Sequence, residues 1–120
     1  MSEILTFSKA SSGDLTDVAD RLLHDIHNRV VPPEVVLDQR GTVGGAQVIL
    51  LIFERYYMRN GSYASLTVQL TDDGTAQKAT VVGTGGGEGV FNFSLGANRA
   101  FASLAAETLT SSGFTKSRGE

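Results

Sequence analysis

Two histidines, a run of glycines and an arginine set inside an apolar strand are the residues whose chemistry has to be weighed first. His24 and His27 stand three apart, with Asp20 four before the first, a spacing that on a helix lines three metal ligands along one stripe. A catalytic metal also needs a dry, shaped cavity and an outer layer of hydrogen bonds. The helical pattern sets His24 opposite the apolar face, so the pair reads as part of a solvated surface, and neither a metal nor a cofactor is expected. Serine, aspartate and histidine are all present, but no Gly-x-Ser-x-Gly elbow occurs, which leaves a hydrolase triad without its parts. Asp72-Asp73 fall in a turn, where aspartate is favoured for its side-chain capping.

The run Gly83-Thr84-Gly85-Gly86-Gly87-Glu88-Gly89 has three functional readings: a backbone nest for an anion, a phosphate loop, or a flap over a pocket. The phosphate-loop reading fails on pattern, because no Lys-Ser or Lys-Thr follows and the helix is expected only after Val90 to Phe93. A structural reading stands beside the others. Glycine permits a sharp reversal and close backbone packing where a strand leaves its sheet. Arg55 lies between Phe53 and Tyr57 on the apolar side of its strand. An unpaired guanidinium there costs several kcal/mol, so it must pair with an acid of the first helix, reach the rim, or bind an anion at the mouth of a cleft beside Tyr57. The ligand-binding candidates are therefore Arg55, Tyr57, Gly85, Gly86, Gly87 and Gly89.

The elements that hold these residues follow from periodicity. Glu3 to Ser8 carries Ile4, Leu5 and Phe7 in a β-favouring run that stops at Ala10-Ser11-Ser12-Gly13. From Asp14 the spacing turns helical, with Leu15, Val18, Ala19, Leu22 and Ile26 on one face, until Pro32-Pro33 forbids continuation. Val35 to Val43 and Ala46 to Met58 read as strands. Asn60-Gly61 and Asp73-Gly74 are two-residue hairpin signals. They set Phe53 opposite Val68, Leu51 opposite Leu70, Arg55 opposite Leu66, Val68 opposite Ala79 and Leu66 opposite Val81. One face is then apolar across three strands: Ile49, Leu51 and Phe53, then Leu66, Val68 and Leu70, then Ala79 and Val81. Both hairpins choose that face independently. For Val35 and Leu37 to join it, the link through Val43-Gly44-Gly45 must have odd length or carry a bulge. A second helix with Ala97, Ala100, Phe101, Leu104, Ala105 and Leu109 on one face ends with Gly113 as its left-handed cap and Phe114 packing back.

Composition bounds what such a domain can do. At 120 residues, one core suffices. The net charge of −3 and scattered lysines and arginines supply no field for nucleic acid. With no cysteine there are no disulfides, thiolate sites or cysteine nucleophiles, which fits a reducing compartment. The longest apolar run, Val48 to Phe53, is too short to cross a bilayer, and no basic region leads into an apolar stretch at the N-terminus. The expected setting is cytoplasmic, with no membrane partner.

The segment from Gly83 to Leu109 joins a glycine run, the pair Phe91-Asn92-Phe93, Gly96 and a small-residue helix. In this, and in length, the chain resembles a family of short uncharacterised bacterial proteins, mainly of Firmicutes type, that form a domain of unknown function. The resemblance covers nearly the whole chain. It implies a small intracellular bacterial protein with no catalytic residues to carry over.

The architecture expected is α+β, in the order β-α-β-β-β-β-α. A mainly antiparallel sheet is packed on one face by both helices, forming a single domain over 1–114 with a frayed tail over 115–120. The bare face would show Leu50, Ile52, Tyr56, Met58 and Tyr63 among threonines, more apolar than solvation requires. The first reading is a non-enzymatic module that self-associates through that face as a homodimer or higher even oligomer. The second is a binding module for a small anionic or amphipathic ligand between sheet and helices, and an enzyme comes third.

Overall fold

The structure is a computed structural model that describes residues 2–28, 33–57, 62–87 and 91–117. Its elements run β1 (Ser2–Ala10), α1 (Leu15–His27), β2 (Glu34–Val43), β3 (Ala46–Tyr57), β4 (Ser62–Asp72), β5 (Ala76–Gly87), α2 (Phe91–Ser111) and β6 (Thr115–Lys116). All strands join one antiparallel sheet in the order β2-β3-β4-β5-β1-β6. The α+β class and the order expected from the sequence hold, with β6 added at the end. Thr115–Lys116, the start of the supposed frayed tail, instead pair with Ser8 and Phe7 of β1. The Ser117 amide extends the contact by donating to the Thr6 carbonyl at 2.7 Å.

Helix α1 begins where its sequence says it should. Asp14 has an extended backbone and its carboxylate accepts the Thr16 amide at 2.9 Å, satisfying one of the donors a helix start leaves open. Its buried residues are Leu15, Val18, Ala19, Leu22 and Ile26, the face the periodicity selects. Helix α2 starts earlier than expected and takes in Phe91-Asn92-Phe93. It closes with two bonds, Phe114 amide to Leu109 carbonyl (3.0 Å) and Gly113 amide to Thr110 carbonyl (3.1 Å), with Gly113 at φ +99°. That is the paired 6→1 and 5→2 pattern of a Schellman end, and Phe114 is buried against the core. The helices are tied to each other where Thr108, itself buried, donates from Oγ1 to Asp25 Oδ2 at 2.7 Å.

Both hairpins run two residues out of the expected register. Phe53 faces Leu66, Leu51 faces Val68 and Arg55 faces Ala64; on the next ladder Val68 faces Val81 and Leu66 faces Gly83. At the β4–β5 turn the reason is visible. Asp73 leaves the loop centre to cap it, its Oδ1 accepting the Thr75 and Ala76 amides at 2.9 Å each, and its own amide donates to the Ala76 carbonyl at 3.3 Å. The reversal is thus Gly74-Thr75, with Gly74 supplying the left-handed φ of +91°. The Asn60-Gly61 turn lies outside the described residues. Because side chains alternate with period two, a shift of two leaves every residue on its own face. Ile49, Leu51, Phe53, Leu66, Val68, Leu70, Ala79 and Val81 are all buried, as the sequence requires.

The β2–β3 connection differs from expectation in where the extra residue sits. Gly44 and Gly45 (φ +58° and +88°) make a two-residue turn between Val43 and Ala46, and the bulge falls in the strand, between Val35 and Leu37. Val35 therefore faces Phe53 on the inner side, whereas Leu37 faces Ile52 on the outer side and Asp38 faces Leu51. Leu37 does not join the inner face.

At the turn end of the sheet, the inner row becomes polar. Asp72 accepts from Gln77 Nε2 at 2.9 Å, from Ser11 Oγ at 2.8 Å and from the Gly74 amide at 2.9 Å, and Gln77 also reaches the Gly13 carbonyl at 3.3 Å. Gln77 is fully buried, so this network anchors the β1–α1 loop onto the sheet. Gln77, Gly74 and Ser11, in that order of influence, hold the Asp72 carboxyl below its usual range.

Two outcomes follow. Gly113→Ala puts a Cβ into a left-handed backbone and should cost about 1 kcal/mol in urea or thermal denaturation. Asp72→Asn should lower Tm at pH 7. A carboxylate held low in the folded state stabilises it above the unfolded pKa and loses that effect as pH falls through the folded value, so the gap to wild type should close below about pH 4.

Candidate functional site

The helices cover only one side of the sheet, which defines two regions for the candidate residues. On the inner side, the register runs Phe53–Leu66–Gly83, then Arg55–Ala64–Gly85, then Tyr57–Ser62–Gly87. Along these rows β4 passes from Leu66 to Ala64 to Ser62 and β5 contributes glycine at each step, while β3 keeps large residues. Arg55, Tyr57, Gly85 and Gly87 are thus brought together at neighbouring positions, although the pairings that do so differ from those the turns suggested. Arg55 is half-buried and engaged in an interaction of its own. Gly86 falls on the outer row with Tyr63 and Tyr56. Gly89 lies outside the described residues.

The glycine run is a strand through Gly87, where a loop was expected. Gly83 pairs with Leu66 on one side and Glu3 on the other, and Gly85, Gly86 and Gly87 continue the ladder to Ala64, Tyr63 and Ser62. A ladder asks only for backbone N–H and C=O groups, so glycine can hold it, at roughly 0.5–1 kcal/mol each relative to alanine. An anion nest needs residues with left-handed φ; among the described residues the glycines with such angles are Gly13, Gly44, Gly45, Gly74 and Gly113, and Gly83 to Gly87 holds none of them.

The outer side carries Leu50 and Ile52, both half-buried, and Tyr56 and Tyr63, 62% and 45% exposed. Met58 lies outside the described residues. None of the described residues on the outer rows of β1, β3, β4 and β5 is buried. One row crosses five strands as Ile4–Val82–Thr67–Ile52–Leu37, with Ile4 64% exposed. Ile4, Val82 and Leu37 extend the patch beyond the residues singled out from the sequence. Val82 was legible from the hairpin pattern, and Leu37's outward place follows from the two-residue Gly44-Gly45 turn; Ile4 needed the β1–β5 pairing, which leaves no local signal.

Charge gathers where β2 meets α1. Asp38 and Arg40 share the inner side of the edge strand, with Arg40 Nε donating to Asp38 Oδ1 at 2.8 Å and its Nη2 3.0 Å from Asp20 Oδ1. Asp20, read as a metal-stripe member with the histidines, is committed to this ion pair. His24 and His27 are exposed, and Asn28 Nδ2 lies 3.0 Å from His24 Nε2. Among the described residues no group of three His, Cys, Asp or Glu side chains could hold a metal ion. An open cleft of about 500 Å³ at the turn end is lined by residues that include Ser11, Arg40, Gln47 and Asp72. Ser11 Oγ donates to Asp72 Oδ1 there, and the same carboxylate accepts from Gln77 Nε2 and the Gly74 amide, so it fastens the β1–α1 loop to the sheet.

Among the described residues no helix is long and apolar enough to cross a membrane. No curated protein and no solved structure matches the chain. A family model, described as a family of unknown function, matches residues 5–113, the stretch from β1 to the cap of α2. The chain belongs to that family of unknown function, DUF6054.

Proposed function

We propose that this protein is a non-enzymatic module that self-associates through the outer face of its sheet. The observation that carries the reading is the one-sided cover: both helices pack on the inner face, and the row Ile4–Val82–Thr67–Ile52–Leu37 is left bare. Five strands at about 4.8 Å spacing, each some 30 Å long, offer on the order of 700 Å², close to the roughly 800 Å² that each partner contributes to a stable interface. Threonines between the apolar side chains keep the face soluble in the monomer, and Tyr56 and Tyr63 at one end supply the amphipathic contact area that interfaces favour. A cytoplasmic setting belongs to this reading, as a cysteine-free chain needs no oxidising compartment.

A second reading rests on the inner rows. Arg55, Ala64 and Gly85 share one row and Tyr57, Ser62 and Gly87 the next, under the start of a helix that leaves β5 only three residues later. A small anionic or amphipathic ligand held there would meet Arg55 at the rim and bare backbone on the floor.

Native mass spectrometry of freshly purified protein tests both, since it reports oligomer size and any co-purified molecule together. An even oligomer is expected, and Ile52→Glu should abolish association through the outer face with unchanged circular dichroism, leaving no species larger than a dimer. A wild type that is monomeric at micromolar concentration would overturn the self-association reading.

A further inference from the structure

Among the described residues the sheet ends on one side in β2, ten residues with no further strand beyond them and all exposed except the half-buried Leu37. An edge of this length offers unpaired backbone groups to another chain unless something discourages it. Which groups are free follows from the turn. Val43 and Ala46 flank a two-residue loop whose central residues both have positive φ, so they form a hydrogen-bonded pair, and bonding alternates from there. Gly41, Gln39 and Leu37 bond to β3. Thr42, Arg40 and Asp38 turn their N–H and C=O outward, and the side chains of these outward-bonding residues lie on the inner side of the sheet.

We propose that two copies of this chain pair antiparallel through their β2 edges, in the register that sets Asp38 of each opposite Arg40 of the other. The proposal rests on the self-association reading and gives it a second interface. Residues opposite each other across such a ladder must both bond outward or both bond to β3, so the central residue of a two-fold pairing is Asp38, Gln39 or Arg40 in the stretch clear of the bulge. Centring on Asp38 stacks carboxylate on carboxylate, and centring on Arg40 stacks guanidinium on guanidinium. Centring on Gln39 makes two opposite-charge pairs, which directly opposed positions in a ladder reward. The charges that select this register also penalise an uncharged foreign strand, because Asp38 and Arg40 would be desolvated without a second ion pair. Both inner faces then lie on the same side. The two sheets continue into one of twelve strands with all four helices above it, and the outer face doubles.

Two charge-segregated variants test this. Asp38→Arg carries arginine at both positions and Arg40→Asp carries aspartate at both, so each repels its own copy while the two complement each other. Native mass spectrometry should show each variant alone with its dissociation constant raised about tenfold or more, and the mixture recovering association as a heterodimer. Amide exchange of the unmodified protein gives a readout independent of how the variants fold: the Asp38 and Arg40 amides should become protected as concentration rises. If both variants keep the wild-type oligomer and Ile52→Glu does not, the edge pairing is overturned and the outer-face reading stands. If the wild type is monomeric, with both amides exchanging fast at every concentration, the edge is left to a foreign strand and both readings fall.

Discussion

The pairing of β1 with β5 is the constraint on which the rest of the molecule depends. Nine positions, from Ser2 opposite Thr84 to Ala10 opposite Ala76, join the start of the chain to the last strand of the meander. Once that ladder forms, β1 and β2 stand four places apart in one sheet, and α1, which links them, has to cross the sheet between them. That crossing lays Leu15, Val18, Leu22 and Ile26 onto the apolar rows of β3 and β4. The same ladder makes β5 a central strand and confines α2, which follows it directly, to the remaining space on the same side. The bare outer face is thus a topological consequence of one long-range pairing, whose loop-closure entropy is offset only when both helices dock.

Polar interactions then secure what the apolar rows leave loose. The β1–α1 loop would hang off the sheet end without the Ser11–Asp72–Gln77–Gly13 chain of bonds, in which the buried Gln77 places its amide nitrogen on two acceptors while its Oε1 meets no donor. Thr108 and Asp25 play the corresponding part between the helices. Apart from Asp72–Gln77, these contacts join residues far apart in sequence, so they could not be named from spacing, although the residue types are ordinary for their positions.

What the sequence made legible was whatever a period encodes. The buried stripe of α1, the Schellman end at Gly113-Phe114 and the division of β3, β4 and β5 into two faces all follow from local repeats or a local cap. Register did not, because Asp73 could serve either inside the turn or as its cap, and its side-chain bonds decide for the cap. The face assignment survived only because the resulting shift is even. The glycine run misled for a related reason. Glycine marks freedom to turn, but the ladder to β4 holds Gly83, Gly85, Gly86 and Gly87 extended, and β1 adds a second ladder at Gly83. The short β6 was illegible because two residues carry no period, and it exists only because β1 lends it an edge.

The Gly44-Gly45 turn links the sheet's two candidate surfaces. With two residues in the loop, Val43 must face Ala46, and the parity of β2 back to Leu37 follows: Leu37 faces Ile52 on the outer side, Asp38 and Arg40 face Leu51 and Ile49 on the inner side. Without the extra residue of the bulge, Val35 would stand opposite Glu54 on the outer side; the bulge reverses the parity of what precedes it and returns Val35 to Phe53 on the inner side. Leu37 thus completes the apolar row with Ile52, while Asp38 and Arg40 lie beside Asp20, where α1 gives the guanidinium a second carboxylate. Asp38 first, then Asp20, hold the Arg40 guanidinium more firmly protonated than usual. One glycine turn therefore keeps these two charges off the outer face and sets them on the inner side of the edge strand.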